Sequence, residues 1–259
     1  MTPASSSPTP QTHALSFGQA ADLYDAVRPT YPAEALSWAF GDSPLDVVDL
    51  GAGTGLLTRG LVAAGHRVTS IEPDAKMLDK LRDTTTGLVG SQVGSAEEIP
   101  LPDGCADAVT AGQAYHWFDP AKALPEIARV LRPGGVFCPI WNVRDESRDW
   151  VKRMSEIASA SDAEILASRL RAEQEPFAPH FNGSELNVVR HEKPMDGPGL
   201  VRLVQSRSYY ITATPERQRE VLDGITGLLN THPQLAGRET FTMPYCTYVF
   251  RSHLAAKTA

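Results

Sequence analysis

The stretch VVDLGAGTGLLTRGL, residues 47–61, decides the reading of the chain. A short apolar run, DVVDL (46–50), is bounded by Pro44 and Gly51 and reads as a buried strand. The segment GLLTRGLVAAG (55–65) then has helical apolar spacing and closes on Gly65, a suitable C-terminal cap. Between them stand glycines 51, 53 and 55, where backbone can approach a ligand without Cβ interference. The helix that follows offers free N–H groups and a partial positive charge.

Outward from this unit, strand and helix keep alternating. HRVTSIE (66–72) predicts a second strand and PDAKMLDKLR (73–82) a helix with proline at its start. LVGSQVG (88–94) and ADAVTAGQA (106–114) predict the third and fourth strands. PAKALPEIARVLRPGG (120–135) predicts a helix stopped by Pro133 and a glycine pair, and GVFCPIWN (135–142) a fifth strand. Five such alternations imply a parallel sheet with helices on both faces. Upstream, FGQAADLYDAVRPTYP (17–32) holds a short helix that stops at Arg28-Pro29, and PAEALSWAF restarts one with Pro32 in its first turn. Downstream, residues 145–175 look helical and charged, GLVRLVQSRSYY and PERQREVLDGITGLL are two further helices, and LNVVRHE (186–192) and FTMPYCTYVFRS (241–252) are strands.

Composition narrows the function. Of 259 residues, 42% are hydrophobic and 21% charged, ordinary soluble globular usage. The net charge of −7 leaves no overall electrostatic footprint for nucleic acid. Cys105, Cys138 and Cys246 are odd in number and widely spaced, which indicates neither a disulfide framework nor a zinc site, and no metal is expected. No apolar run approaches the roughly 18 residues that span a bilayer. MTPASSSPTPQT lacks a secretory pattern and reads as a disordered tail over 1–15, so a cytoplasmic protein is expected. There is no GxSxG elbow, HExxH or phosphate loop with GK[ST].

The glycine loop admits two cofactors. A dinucleotide fingerprint is GxGxxG/A, but here the spacing is GxGxG and the sixth position is Leu56. Asp49 would also place negative charge near a pyrophosphate, whereas it suits a ligand with an ammonium group. Glu72 follows Gly51 by 21 residues, at the end of the next strand, where a carboxylate can accept both hydroxyls of a ribose.

DLGAGTG, Glu72, GSAEEIPLPDGCADAV and ARVLRPGG, in this order and spacing, resemble class I S-adenosylmethionine-dependent methyltransferases. The nearest likeness is the small-molecule, type 11-like group that also carries an upstream YDxxRPxYP and a YHWF after the fourth strand. The resemblance covers residues 17–142 and implies a Rossmann-like, doubly wound, mostly parallel seven-stranded sheet with a helical cap insertion. It implies a single domain over 16–259, with the cofactor-binding core at 16–144, the cap and acceptor region at about 145–235 and C-terminal strands at about 236–252. By the same resemblance, Gly51, Ala52, Gly53 and Gly55 line the methionine and ribose portion, and Asp49 sits near the amino group. Glu72 holds the ribose, with Pro73 beside the adenine and Met77 packed on its ring. Ser95 stands where family members often have Asp; it or Glu97 accepts from the adenine amino group, and the Ala96 N–H meets adenine N1. Tyr24 and Arg28 fold over the cofactor, Arg28 pairing with its carboxylate.

AGQAYHWFD (111–119) begins where the fourth strand ends, and ligands of open α/β sheets bind beyond the carboxyl ends of strands. Gln113 and Ala114 are therefore expected against the methionine end, and Tyr115, His116 and Trp117 toward the acceptor as a site wall. Trp141, Asn142, Arg144 and Tyr209 are further acceptor-pocket candidates. His116 is either a general base for an acceptor that must lose a proton or a positioning residue; with Tyr24 it is the candidate for catalysis.

The function expected is methyl transfer from S-adenosylmethionine to a small molecule, leaving S-adenosylhomocysteine. Two rivals keep the cofactor: its own amino group displaces methylthioadenosine to give a cyclic amino acid, or the protein binds it without catalysis. A nicotinamide oxidoreductase is disfavoured by Leu56 and Asp49. No nucleic acid or membrane partner is expected, and the charged helices of 145–215 suggest a lid.

Overall fold

The computed structural model describes residues 27–158 and 162–256. In chain order the elements are helix α1 (Ala33–Phe40), β1 (Asp46–Leu50), α2 (Leu56–Ala63), β2 (Arg67–Glu72), α3 (Ala75–Thr84), β3 (Gly90–Val93) and β4 (Ala106–Gly112). A 3-10 turn at Tyr115–Trp117 leads to α4 (Pro120–Val130), β5 (Leu131–Arg144), α5 (Asp149–Ala158) and α6 (Asp162–Leu170). The chain ends with β6 (Phe181–Met195), α7 (Gly197–Gln205), α8 (Ser208–Ile211), α9 (Pro215–Thr231) and β7 (Phe241–Leu254).

The seven strands form one sheet in the order β3-β2-β1-β4-β5-β7-β6. The first five are parallel, and β7 runs antiparallel between β5 and β6. The strand order reverses direction between β1 and β4, so the crevice for a ligand opens beyond their carboxyl ends.

Period-two burial explains why both faces are covered. Val48, Leu50, Ile71, Val109, Phe137, Trp141 and Phe250 point to one side, where Leu124, Ile127 and Val130 of α4 and Leu170 of α6 meet them. Their chain neighbours Val47, Val68, Ala108, Cys138, Ile140 and Val249 point to the other, under Leu36 and Phe40 of α1 and Leu57 and Leu61 of α2. Strands buried on both faces read as continuous apolar runs, as DVVDL does. A third apolar cluster joins α5, α7 and α9 to Met195, Met243 and Tyr245.

Several expected boundaries move. The helix read as 120–135 ends at Val130, and Leu131 already pairs with Ala106 across a register shift, so β5 is longer than 135–142 at both ends. The strand read as 186–192 extends over Phe181–Met195 because β7 supplies ladder partners along its length. It also lies inside the 145–235 stretch. The helices there therefore form two groups, α5–α6 before β6 and α7–α9 after it, joined by a strand of the main sheet.

Two expected acceptor residues belong to the core. Trp141 is fully buried, with Phe250 at 5.7 Å and Tyr115 at 6.3 Å between ring centroids. Tyr115 in turn packs edge-on against Phe118 and Phe177. Such rings fill the space between sheet and helices, which corrects the expectation that Tyr115 and Trp141 face an acceptor. Trp141→Ala is expected to cost about 3–5 kcal/mol of unfolding free energy in a denaturant titration. A change within about 0.5 kcal/mol would return Trp141 to a surface or pocket role.

Candidate active site

The loop after β1 is built around close approach. The N–H groups of Gly51 and Ala52 both donate to the Ile71 carbonyl, at 2.8 and 3.2 Å, which turns the chain back over β2. Gly51 has φ +63°, and a Cβ there would meet the Ala114 Cβ at 2.7 Å. Gly55 caps α2 in a left-handed conformation, and a Cβ would meet Leu81 at 2.8 Å. The first contact brings the loop against the segment leaving β4.

Two buried carboxylates flank the loop. Asp49 is fully buried; its Oδ2 accepts from the Thr58 hydroxyl at 2.6 Å, while Oδ1 has no hydrogen-bond partner. Burial lifts its pKa to about 7, with the neighbouring Glu72 charge adding to the rise. Glu72 ends β2, also buried, and accepts from the Gly53 N–H at 2.8 Å and the Asp74 N–H at 3.0 Å. Burial raises it to about 7 as well, against those two bonds. Met77 is buried beside Gly53, and Pro73 is exposed next to Glu72. Ser95, Ala96 and Glu97 follow β3, tied in by the Gly94 N–H donating to the Glu72 carbonyl. Glu97 accepts from the Asp119 N–H at 2.9 Å, so one of its oxygens serves the start of α4.

A second group gathers at the ends of β4 and β5. Gln113 adopts φ +55°, its Nε2 donates to the Asn142 carbonyl at 2.8 Å, and its Oε1 is buried without a partner. The half-buried His116 stacks obliquely on Trp117 at 4.6 Å, with Nδ1 enclosed and unpartnered. Burial, then the guanidiniums of Arg28 and Arg207, lower its pKa to about 3. Arg28 is buried, and its Nη2 donates to the Ser206 carbonyl at 2.8 Å. Tyr209 has a buried hydroxyl without a partner. Tyr24 lies outside the described residues.

Asn142 and Arg144 depart from expectation. The Asn142 amide is buried among protein partners: Nδ2 donates to the Pro29 and Thr30 carbonyls at 3.4 and 3.3 Å, and Oδ1 accepts from the Thr247 hydroxyl at 2.6 Å. It brackets the segment entering α1 instead of facing an acceptor. Arg144 is buried and binds Glu164 through Nε and Nη2, each at 2.8 Å, which ties β5 to α6. That buried ion pair makes Arg144 a strut between the two elements.

Sequence reasoning missed Arg207 and Tyr245. Both are buried and both carry an unpartnered polar atom in the second group. Neither lies in a motif, and Tyr245 meets Arg144 only because β7 pairs antiparallel with β5.

Comparison with known proteins fits this geometry. A family described as a methyltransferase domain matches residues 48–138. An uncharacterized methyltransferase of Mycobacterium tuberculosis is 42% identical over 245 residues, covering 93% of this chain and 96% of its own. The chain belongs to the methyltransferase family. An uncharacterized methyltransferase-like protein of Schizosaccharomyces pombe is 29% identical over 241 residues, covering 88% of this chain and 91% of its own. Among solved structures, a candidate type II methyltransferase from Anaeromyxobacter dehalogenans has a TM-score of 0.62 at 22% identity, covering 88% of this chain and 96% of that one; it shares the fold. The protein is thus an S-adenosylmethionine-dependent methyltransferase, and family and fold imply that cofactor. No helix among the described residues of this methyltransferase is long and apolar enough to cross a membrane.

The raised pKa of Asp49 has a consequence for stability. Its carboxyl ionises near pH 4 unfolded and near 7 folded, so it favours the fold at low pH and that contribution is lost as pH rises toward 7. Asp49→Asn should therefore gain stability relative to the wild type as pH rises from 5 to 8, read from urea midpoints of the ligand-free proteins. A difference that is constant across this range would mean that Asp49 is not protonated in the native state.

Proposed function

We propose that this methyltransferase holds S-adenosylmethionine along the glycine loop and methylates a small molecule presented from the side of His116. Asp49 carries this reading: a fully buried carboxylate whose Oδ1 has no partner fits a ligand with an ammonium group. Glu72, at the end of β2, fits the ribose hydroxyls, with Gly51, Ala52, Gly53 and Gly55 against the methionine and ribose portion. Pro73 and Met77 flank the adenine, and Ser95, Ala96 and Glu97 its polar edge. Arg28 takes the cofactor carboxylate. Gln113 and Ala114 lie against the methionine end, and Tyr24 is assigned to the cover. When bound, the cofactor supplies a methyl group on sulfur that is already an activated leaving group.

What the chain supplies is position. Holding the nucleophile and the methyl in line can account for roughly 7–11 kcal/mol of a barrier. The glycine loop and the turn after β4 are in mutual contact, and this supports a fixed distance between cofactor and acceptor. Burial and the neighbouring guanidiniums disfavour the protonated form of His116, which supports a positioning role toward the acceptor over that of a general base. Arg28 bridges to Ser206 beyond α7, which supports a cap formed from the 197–235 helices. A cytoplasmic setting is proposed with this reading.

Mass spectrometry of the purified protein with S-adenosylmethionine, with and without a small-metabolite extract, tests this. S-adenosylhomocysteine should form only with extract, together with a product heavier by one methylene, and Glu72→Ala should reduce the rate at least about 100-fold. Methylthioadenosine formed without extract would instead establish intramolecular displacement, and binding with no conversion under either condition would leave a non-catalytic binder.

A further inference from the structure

Positive charge is buried on the acceptor side of the crevice. Arg207, between α7 and α8, is 4% exposed; its Nη2 has no hydrogen-bond partner, and among the described residues no carboxylate pairs with it. Two buried hydroxyls in the same region lack partners. Tyr245, opposite Arg144 in the β5–β7 ladder, is within electrostatic reach of Arg207, and both Tyr209 and Tyr245 are within reach of the adjoining Arg144. Arg28 is tied nearby through its bond to the carbonyl of Ser206, the residue before Arg207. The nearby Glu164 carboxylate is engaged at both oxygens by Arg144.

A guanidinium has only donors and does not lose its proton, so it cannot relieve its own burial by titrating. Tyrosine hydroxyls can complete the same set as donors. What such a group lacks is an acceptor with several lone pairs and negative charge, and the planar fork of arginine matches a carboxylate. With Arg28 given to the cofactor, Arg207 remains for another anion. We propose that the methyl acceptor is a small carboxylic acid whose carboxylate is held by Arg207 and the hydroxyls of Tyr209 and Tyr245. This rests on the reading of the crevice as a methyltransferase site.

Calorimetric titration of the full chain, saturated with S-adenosylhomocysteine, tests it with benzoate, succinate and citrate, with benzamide and succinamide as uncharged partners, and with phenyl phosphate. At least one acid should bind about tenfold or more tighter than its amide. Arg207→Met should weaken that acid about 30-fold or more while S-adenosylhomocysteine affinity stays within about twofold. Tyr245→Phe should weaken it by a smaller factor. If Arg207→Met is not folded by circular dichroism, Arg207→Lys, which keeps charge but loses the fork, is expected to show a partial loss. Equal binding of acid and amide, no acid binding, or undiminished binding by the folded variant would overturn the proposal. Tighter binding of phenyl phosphate would reassign the site to phosphate esters, and lost S-adenosylhomocysteine affinity in Arg207→Met would reassign Arg207 to the cofactor. If wild type does not bind S-adenosylhomocysteine, the cofactor reading fails, and the same acid and amide titrations without it still decide the acceptor proposal.

Discussion

The contact between Gly51 and Ala114 is the constraint from which the site follows. At 2.7 Å from Ala114 Cβ there is no room for a side chain on residue 51, and its φ of +63° would strain one. That single approach packs the turn leaving β1 against the turn leaving β4. The two strands are neighbours at the point where strand order reverses, so the crevice wall and the cofactor loop are one packed unit. His116 and Trp117 owe their position to it, because the 3-10 turn starts one residue beyond Ala114.

The apolar frame makes the polar groups costly, and they concentrate where a ligand belongs. Asp49 and Glu72 lie within a sheet covered on both faces, and Arg207 sits among helices packed by leucine and valine. Among the described residues, Asp49 Oδ1 and Arg207 Nη2 have no hydrogen-bond partner, and Glu72 is held by two backbone N–H groups with no cation beside it. Arg144 and Glu164 differ in being opposite charges joined by two bonds of 2.8 Å. Incomplete satisfaction in a native core is where stability is given up for binding.

The sheet was readable because its signals are local. DVVDL, the glycine loop and the helix closing on Gly65 are contiguous, and Glu72 ends the next strand as its spacing implied. Boundaries set by partners were not readable: β6 runs to Phe181 and Met195 because β7 pairs with it there, although Leu186 and Val188 remain partly exposed. The cluster YHWF divided, since one 3-10 turn sends Tyr115 into the aromatic core and leaves His116 and Trp117 half-buried. Asn142 and Arg144 lie at the carboxyl end of β5, where a ligand contact is reasonable, but the entering segment at Pro29 and the helix bearing Glu164 claim them first. Arg207 and Tyr245 stand far from any motif, and only the antiparallel return of β7 and the packing of α7 bring them to the site.

Proton release on cofactor binding, measured calorimetrically at pH 7 in buffers of different ionisation enthalpy, tests the central claim most directly. Asp49 and Glu72 each have a pKa of about 7 in the ligand-free protein. An ammonium group beside one and ribose hydroxyls on the other both favour the ionised form, so binding of S-adenosylmethionine should release protons, about one in total at this pH. Release should fall by about half in Asp49→Asn. Proton uptake, or binding with no buffer dependence at all, would contradict the assignment of these two carboxylates to the cofactor.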